Sequence, residues 1–158
     1  MSGIVGQIGA RSGVVSGYVL KPNIPSWYVT NSTSGSAFSA NSTANWDQTD
    51  TTADSTQRFA QGGCTISSGI VTVPVTGLYH IHAQILSNQS GQILYHLRIN
   101  DVQVKGSAIE GVPVTNYFQS CSSDVIQELS ANDNVRVEMA AAPGYGSSFA
   151  NFLGYLIG

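Results

Sequence analysis

Residues 69–86 read GIVTVPVTGLYHIHAQIL, and their alternation points to the fold. Ile70-Val71-Thr72-Val73 is a short, mostly β-branched run. Pro74 stops it, because proline has no N–H to offer a sheet ladder. Gly77 turns the chain into Leu78–Leu86, where Tyr79, Ile81, Ala83 and Ile85 share one face and His80, His82 and Gln84 the other. Successive strand side chains point to opposite faces, so this period of two predicts a strand with one face in a core.

The same pattern continues outward. Ile93, Tyr95, Leu97 and Ile99 alternate, and Asn100-Asp101 makes a turn. Tyr117 to Leu129 reads as one or two strands, Ala131-Asn132-Asp133-Asn134 as a turn, and Val135, Val137 and Met139 as the next apolar face. Pro143-Gly144-Tyr145-Gly146 is a loop before a last strand from Phe149 to Ile157. Upstream, Ser26-Trp27-Tyr28-Val29-Thr30 is aromatic and β-branched, hence a strand. The polar stretch from Asn31 to Gln57 has Phe38 and Trp46 as isolated anchors. Strands at this spacing, with no helical period anywhere, predict an all-β, antiparallel β-sandwich of the jelly-roll kind. Its expected core includes Tyr79, Ile81, Ile85, Tyr95, Leu97, Val135, Val137 and Tyr155.

The last strand carries Leu153, Tyr155 and Ile157 on one face and Phe152 and Leu156 on the other. A strand that is apolar on both faces is buried on both. A two-layer sandwich covers only one of them. A neighbouring subunit is the simplest cover for the second, with Phe152 as the expected anchor and Leu156 on the same face. The composition agrees. Charged residues make up 9% of the 158-residue chain, against about 25% in an ordinary soluble domain. Such a bland surface suits a chain packed against its own copies.

Net charge is −3, and the six Lys and Arg are scattered singly. That excludes the basic footprint that nucleic acid demands. No stretch is long and apolar enough for a membrane span, and no secretory leader is expected. Cys64 and Cys121 fit no metal spacing and read as two free, buried thiols. Residues 1–24 stand apart as an arm and linker: Gly recurs at 3, 6, 9, 13 and 17, which disfavours a helix, and Pro22 follows. An extended arm that presents Ile4, Val5, Ile8, Arg11, Val14 and Val15 to a partner is the expectation, with residues 25–158 forming the trimerising domain.

Three motifs in register bring a family into view. Gly69 to Tyr79 resembles "G-x-F-x-V-P-x-x-G-x-Y", with an aliphatic residue in place of the Phe. Leu129 to Val135 resembles "L-x-x-G-D-x-V", with Asn132 for the Gly, and Phe152 to Ile157 resembles "F-S-G-F-L-L". Together these resemble the globular head of complement subunit q and its tumour-necrosis-factor-like relatives. The resemblance implies a ten-stranded jelly-roll that forms a homotrimer. It also places the His80/His82 strand and the last strand in the inner sheet near a three-fold axis. A preceding collagen-type stalk is not expected. The segment around Ala10-Arg11-Ser12-Gly13-Val14 resembles the N-termini of tailed-phage virion proteins that carry such domains.

Several residue groups invite chemistry. His80 and His82 lie on one side of a strand, and three copies around an axis would gather imidazoles for a metal. Hydrogen bonding across a subunit interface is the preferred reading, because no carboxylate or Cys is seen to join them. His96 reads as an exposed strand residue. Asp47, Asp50 and Asp54 share a polar loop whose spacing fits no calcium loop. No nucleophile elbow, carboxylate pair or phosphate loop appears. The expectation is therefore a non-enzymatic protein with no metal and no cofactor. It would be a virion structural protein on the outer capsid surface, made in the host cytoplasm. As a capsid decoration (cement) trimer it would grip the major capsid protein through its arm, with a host surface glycan as a further partner. The alternatives are the receptor-binding tip of a phage tail fibre and a soluble carbohydrate-binding module.

Overall fold

The computed structural model describes residues 23–30, 38–46, 59–87, 93–111, 119–141 and 150–158. These hold twelve strands and no helix. In chain order they are β1 (Ser26–Thr30), β2 (Ser42–Thr43), β3 (Phe59–Gln61), β4 (Thr65–Ser67), β5 (Ile70–Thr72) and β6 (Gly77–Ser87). Then come β7 (Ile93–Ile99), β8 (Val102–Gln103), β9 (Ile109–Gly111), β10 (Gln119–Leu129), β11 (Asn134–Ala141) and β12 (Asn151–Leu156). One sheet runs β10-β6-β12-β1-β3. The other runs β4-β5-β11-β7-β8, with β2 also on β11 and β9 also on β7. Every pairing is antiparallel.

Alternation does what it predicts in β6, β7 and β11. Tyr79, Ile81, Ala83, Ile85, Tyr95, Leu97, Val135, Val137 and Met139 are all fully buried between the sheets. Phe38 and Trp46, the lone apolar residues of a polar stretch, join them, with their rings 4.9 Å apart edge to face. The turns use the residues that left-handed backbone favours. Asn100 and Asp101 have φ of 47° and 68° and join β7 to β8 with two residues, the geometry that matches strand twist. Asn132 has φ of 71°, so it does the work of the Gly that the resembled motif carries. Two of the motifs dock on each other. Val73 N donates to Asp133 O (3.1 Å), Asn132 N to Val73 O (2.8 Å), and Ala131 N to the Thr76 hydroxyl (3.0 Å). The Tyr79 hydroxyl donates back to Val75 O at 3.0 Å, which ties the start of β6 to the turn before it.

β12 departs from expectation. Its inward face is Phe152, Gly154 and Leu156, and its outward face is Leu153, Tyr155 and Ile157. Phe152, expected at a subunit interface, is fully buried within the protomer, with ring centroids 5.6 Å from Trp27 and 5.9 Å from Trp46. Leu156 also packs against this core. Tyr155, expected in the core, is 45% exposed. Gly154 explains the choice of face. The Trp27 ring lies directly over it, so the strand turns inward the side that has room for an indole. Both cysteines are free and buried, as read from the sequence. The arm with Ile4, Val5, Ile8, Arg11, Val14 and Val15, the acidic loop of Asp47, Asp50 and Asp54, and the Pro143–Gly146 loop lie outside the described residues.

Candidate functional site

The outward face of the five-stranded sheet is built in rows by strand register. One row runs Asp124 (β10), His82 (β6), Leu153 (β12), Tyr28 (β1), Phe59 (β3). The next runs Ile126, His80, Tyr155, Ser26, Gln61. The face is apolar towards β3. Tyr28 and Phe59 stack with centroids 6.4 Å apart, and with Ile24, Leu153, Tyr155 and Gln61 they line a groove of about 340 Å³. Gln61 Nε2 donates to the Ser26 hydroxyl at 2.8 Å and holds the groove floor. Leu78, Ile126 and Ile157 extend the exposed apolar surface at 42%, 62% and 50%.

Towards β10 the face turns polar. His82 Nδ1 lies 2.9 Å and His80 Nε2 3.2 Å from the same oxygen, Oδ1 of Asp124. His82 Nδ1 hydrogen-bonds that carboxylate oxygen, and His80 Nε2 stands at ion-pair distance from it. His80 also packs on Tyr155, with centroids 5.2 Å apart, and its Nδ1 is buried without a partner. So a carboxylate does join the two histidines, contrary to the sequence reading. The signal lay in the alternation of Ser120, Ser122, Asp124, Ile126 and Glu128, all exposed, but only the β10–β6 register pairs Asp124 with His82. Of the four residues expected at an interface, His80 and His82 face outward here. Phe152 and Leu156 face the core.

The seven-stranded sheet carries a second cluster. Arg98 Nε lies 2.8 Å from Glu138 Oε2 and donates to His96 Nε2 at 3.3 Å. Arg136 Nη2 reaches Glu138 at 3.3 Å, and Arg136 Nη1 reaches Asp101. His96, expected to be exposed, is only 7% exposed. Pairing of His96 with Glu138 across β7 and β11 places its ring inside this network. Burial lowers the His96 pKa below the ordinary 6.5, with Arg98 and Arg136 acting the same way and Glu138 opposing them. The folded protein thus prefers the neutral ring. The resulting stability is complete above 6.5 and is lost as pH falls from there through the lower folded value. Thermal melts between pH 7.5 and 5 are expected to show this decline. His96→Gln, compared at the same protein concentration, should flatten it.

The thiols offer little reactivity. Burial pushes Cys64 up to about 11, against a smaller lowering effect from a backbone hydrogen bond with Ser26, and burial raises Cys121 as well. Thiolate is the reactive form, so both are quiet at neutral pH. Among the described residues no group of three or more His, Cys, Asp and Glu has the geometry to hold a metal ion.

No family model and no curated protein sequence matches this chain. Among solved structures, the globular domain of zebrafish complement 1qA protein is similar with a TM-score of 0.65 and 17% identity. The match covers 85% of this chain and 98% of that one. At that identity the likeness speaks to architecture. The chain folds as an all-β, antiparallel jelly-roll sandwich like that of the complement 1qA globular domain.

Proposed function

We propose that this chain is a non-enzymatic structural module that assembles as a homotrimer through the outward face of its five-stranded sheet. One observation carries the reading. That face exposes Phe59, Leu78, Ile126, Tyr155 and Ile157 together, and among its described residues it carries no Lys or Arg. Contiguous exposed apolar surface on a folded domain marks an interaction site. The same face on every copy makes a second copy the natural cover, and the family that the sequence motifs resemble implies three copies. Light scattering at micromolar concentration is expected to give the mass of three chains. Tyr155→Glu, which puts a charge into the covered patch, should give a folded single chain. A wild-type protein that stays a single chain would overturn the reading.

Within it, the arm of residues 1–24 is the attachment segment, and the major capsid protein of a tailed phage is its proposed partner. Support comes from the arm's composition: glycines let a backbone approach closely, and Ile4, Val5, Ile8, Val14 and Val15 supply small anchors. Three arms on one trimer would reinforce each other through effective concentration. Deleting residues 2–17 should leave a folded trimer that no longer decorates capsids. Full decoration by the truncated trimer rejects the arm, and binding to tails alone favours a fibre tip.

A further inference from the structure

We propose that the His80–Asp124–His82 cluster makes self-association through this face pH-dependent, tightening it in mild acid. This rests on the face being the self-association surface. The charges there are unusually one-sided. From β10 come Asp124, 58% exposed, and Glu128, also exposed. From β6 come His80 and His82, and from β12 and β1 only the phenols of Tyr155 and Tyr28. Of the described cations, Arg98 and Arg136 lie on β7 and β11, and Lys105, in the turn after β8, lines a groove with Gln127 and Glu128 at the β10 edge. With both imidazoles neutral, each copy therefore presents Asp124 among the histidines and Glu128 at the edge, where Lys105 shares its groove.

Bringing copies of that face together sets like charges against each other in partly desolvated surroundings, which opposes assembly. Histidine is the side chain that changes charge between pH 5 and 8. Each proton taken up moves the face towards neutrality, and it arrives where Asp124 Oδ1 already sits 2.9 Å from His82 Nδ1 and 3.2 Å from His80 Nε2. For His82, bonded through Nδ1, the second proton falls on Nε2 and strengthens the bond to Asp124 without a change of geometry. For His80 it falls on the buried, partnerless Nδ1, so His82 is the main switch. Neutralising the face removes the repulsion, and association takes up protons.

The test measures the midpoint concentration for assembly by sedimentation velocity at pH 8 and pH 6, with near-ultraviolet circular dichroism as a check on folding. For wild type that midpoint is expected to fall by about tenfold on going to pH 6, the scale of about half a proton taken up on average over those two pH units. His80→Gln/His82→Gln should assemble with the same midpoint at both pH values. Asp124→Asn/Glu128→Gln should reverse the sign, because without the carboxylates each proton taken up adds repulsion instead of removing it. A wild-type oligomer whose midpoint does not move with pH overturns this proposal and leaves the self-association reading standing. So does a double-histidine variant that keeps the full dependence. A single chain at every pH and concentration overturns both.

Discussion

Phe152→Ala is expected to lower unfolding free energy by about 3–5 kcal/mol, read from the shift of a guanidinium midpoint. The side chain is fully buried, and its ring sits between Trp27 and Trp46, with Phe38 closing the far side of Trp46. Truncation leaves a cavity walled by two indoles, which cannot collapse without moving both. The near-ultraviolet dichroism of the two tryptophans should weaken in the native variant. Because the ring belongs to the protomer's own core, the size of the loss should be equal at low and high protein concentration. A loss that grows on dilution would point instead to an interface.

Gly154→Ala should be costly although it adds a single methyl group. A Cβ there would lie 2.3 Å from both Cζ2 and Cη2 of Trp27, far inside contact distance. The indole has little room to retreat, being 1% exposed and packed on Phe152 and Tyr79. Overpacking of this sort costs about 1–3 kcal/mol, and occasionally more. The upper end of that range is expected here. The clash also predicts a rescue. Trp27→Phe removes the two ring carbons concerned, so in the double variant the glycine substitution should cost measurably less than it does alone. Equal costs in both backgrounds would show that the contact is not what excludes a side chain at 154.

Both variants lie on β12, where sequence and structure part. In β6, β7 and β11 one face is apolar and the other holds all the charged and imidazole side chains, with Leu78, Leu86 and Leu94 among them, so a period of two still names the core. β12 is apolar on both faces, and periodicity then gives two faces with no way to rank them. What ranks them is long-range: Trp27, more than a hundred residues away in sequence, needs a position without a Cβ. The site follows the same logic. His80 and His82 were legible as a pair on one side of a strand, because their relation is local. Asp124 joins them, and Glu138 encloses His96, only through the registers of β10 on β6 and β11 on β7. Register is fixed by the assembled sheet and does not show in any one segment.

The position of β12 also bears on the order of folding during synthesis. Its residues 151–156 lie between β6 and β1 and bond to both, so the middle of the five-stranded sheet is the last described strand to be made. Until β12 is made, β1 and β6 have no bridge, and Trp27 lacks the glycine and the phenylalanine it packs on. The β7–β11 pairing can close earlier, since all of its residues precede 142. A nascent chain that lacks β12 can therefore close the β7–β11 pairing but not the five-stranded sheet, whose open edges are free to meet neighbouring chains. Insertion of β12 completes the apolar face through which copies of the chain are proposed to meet.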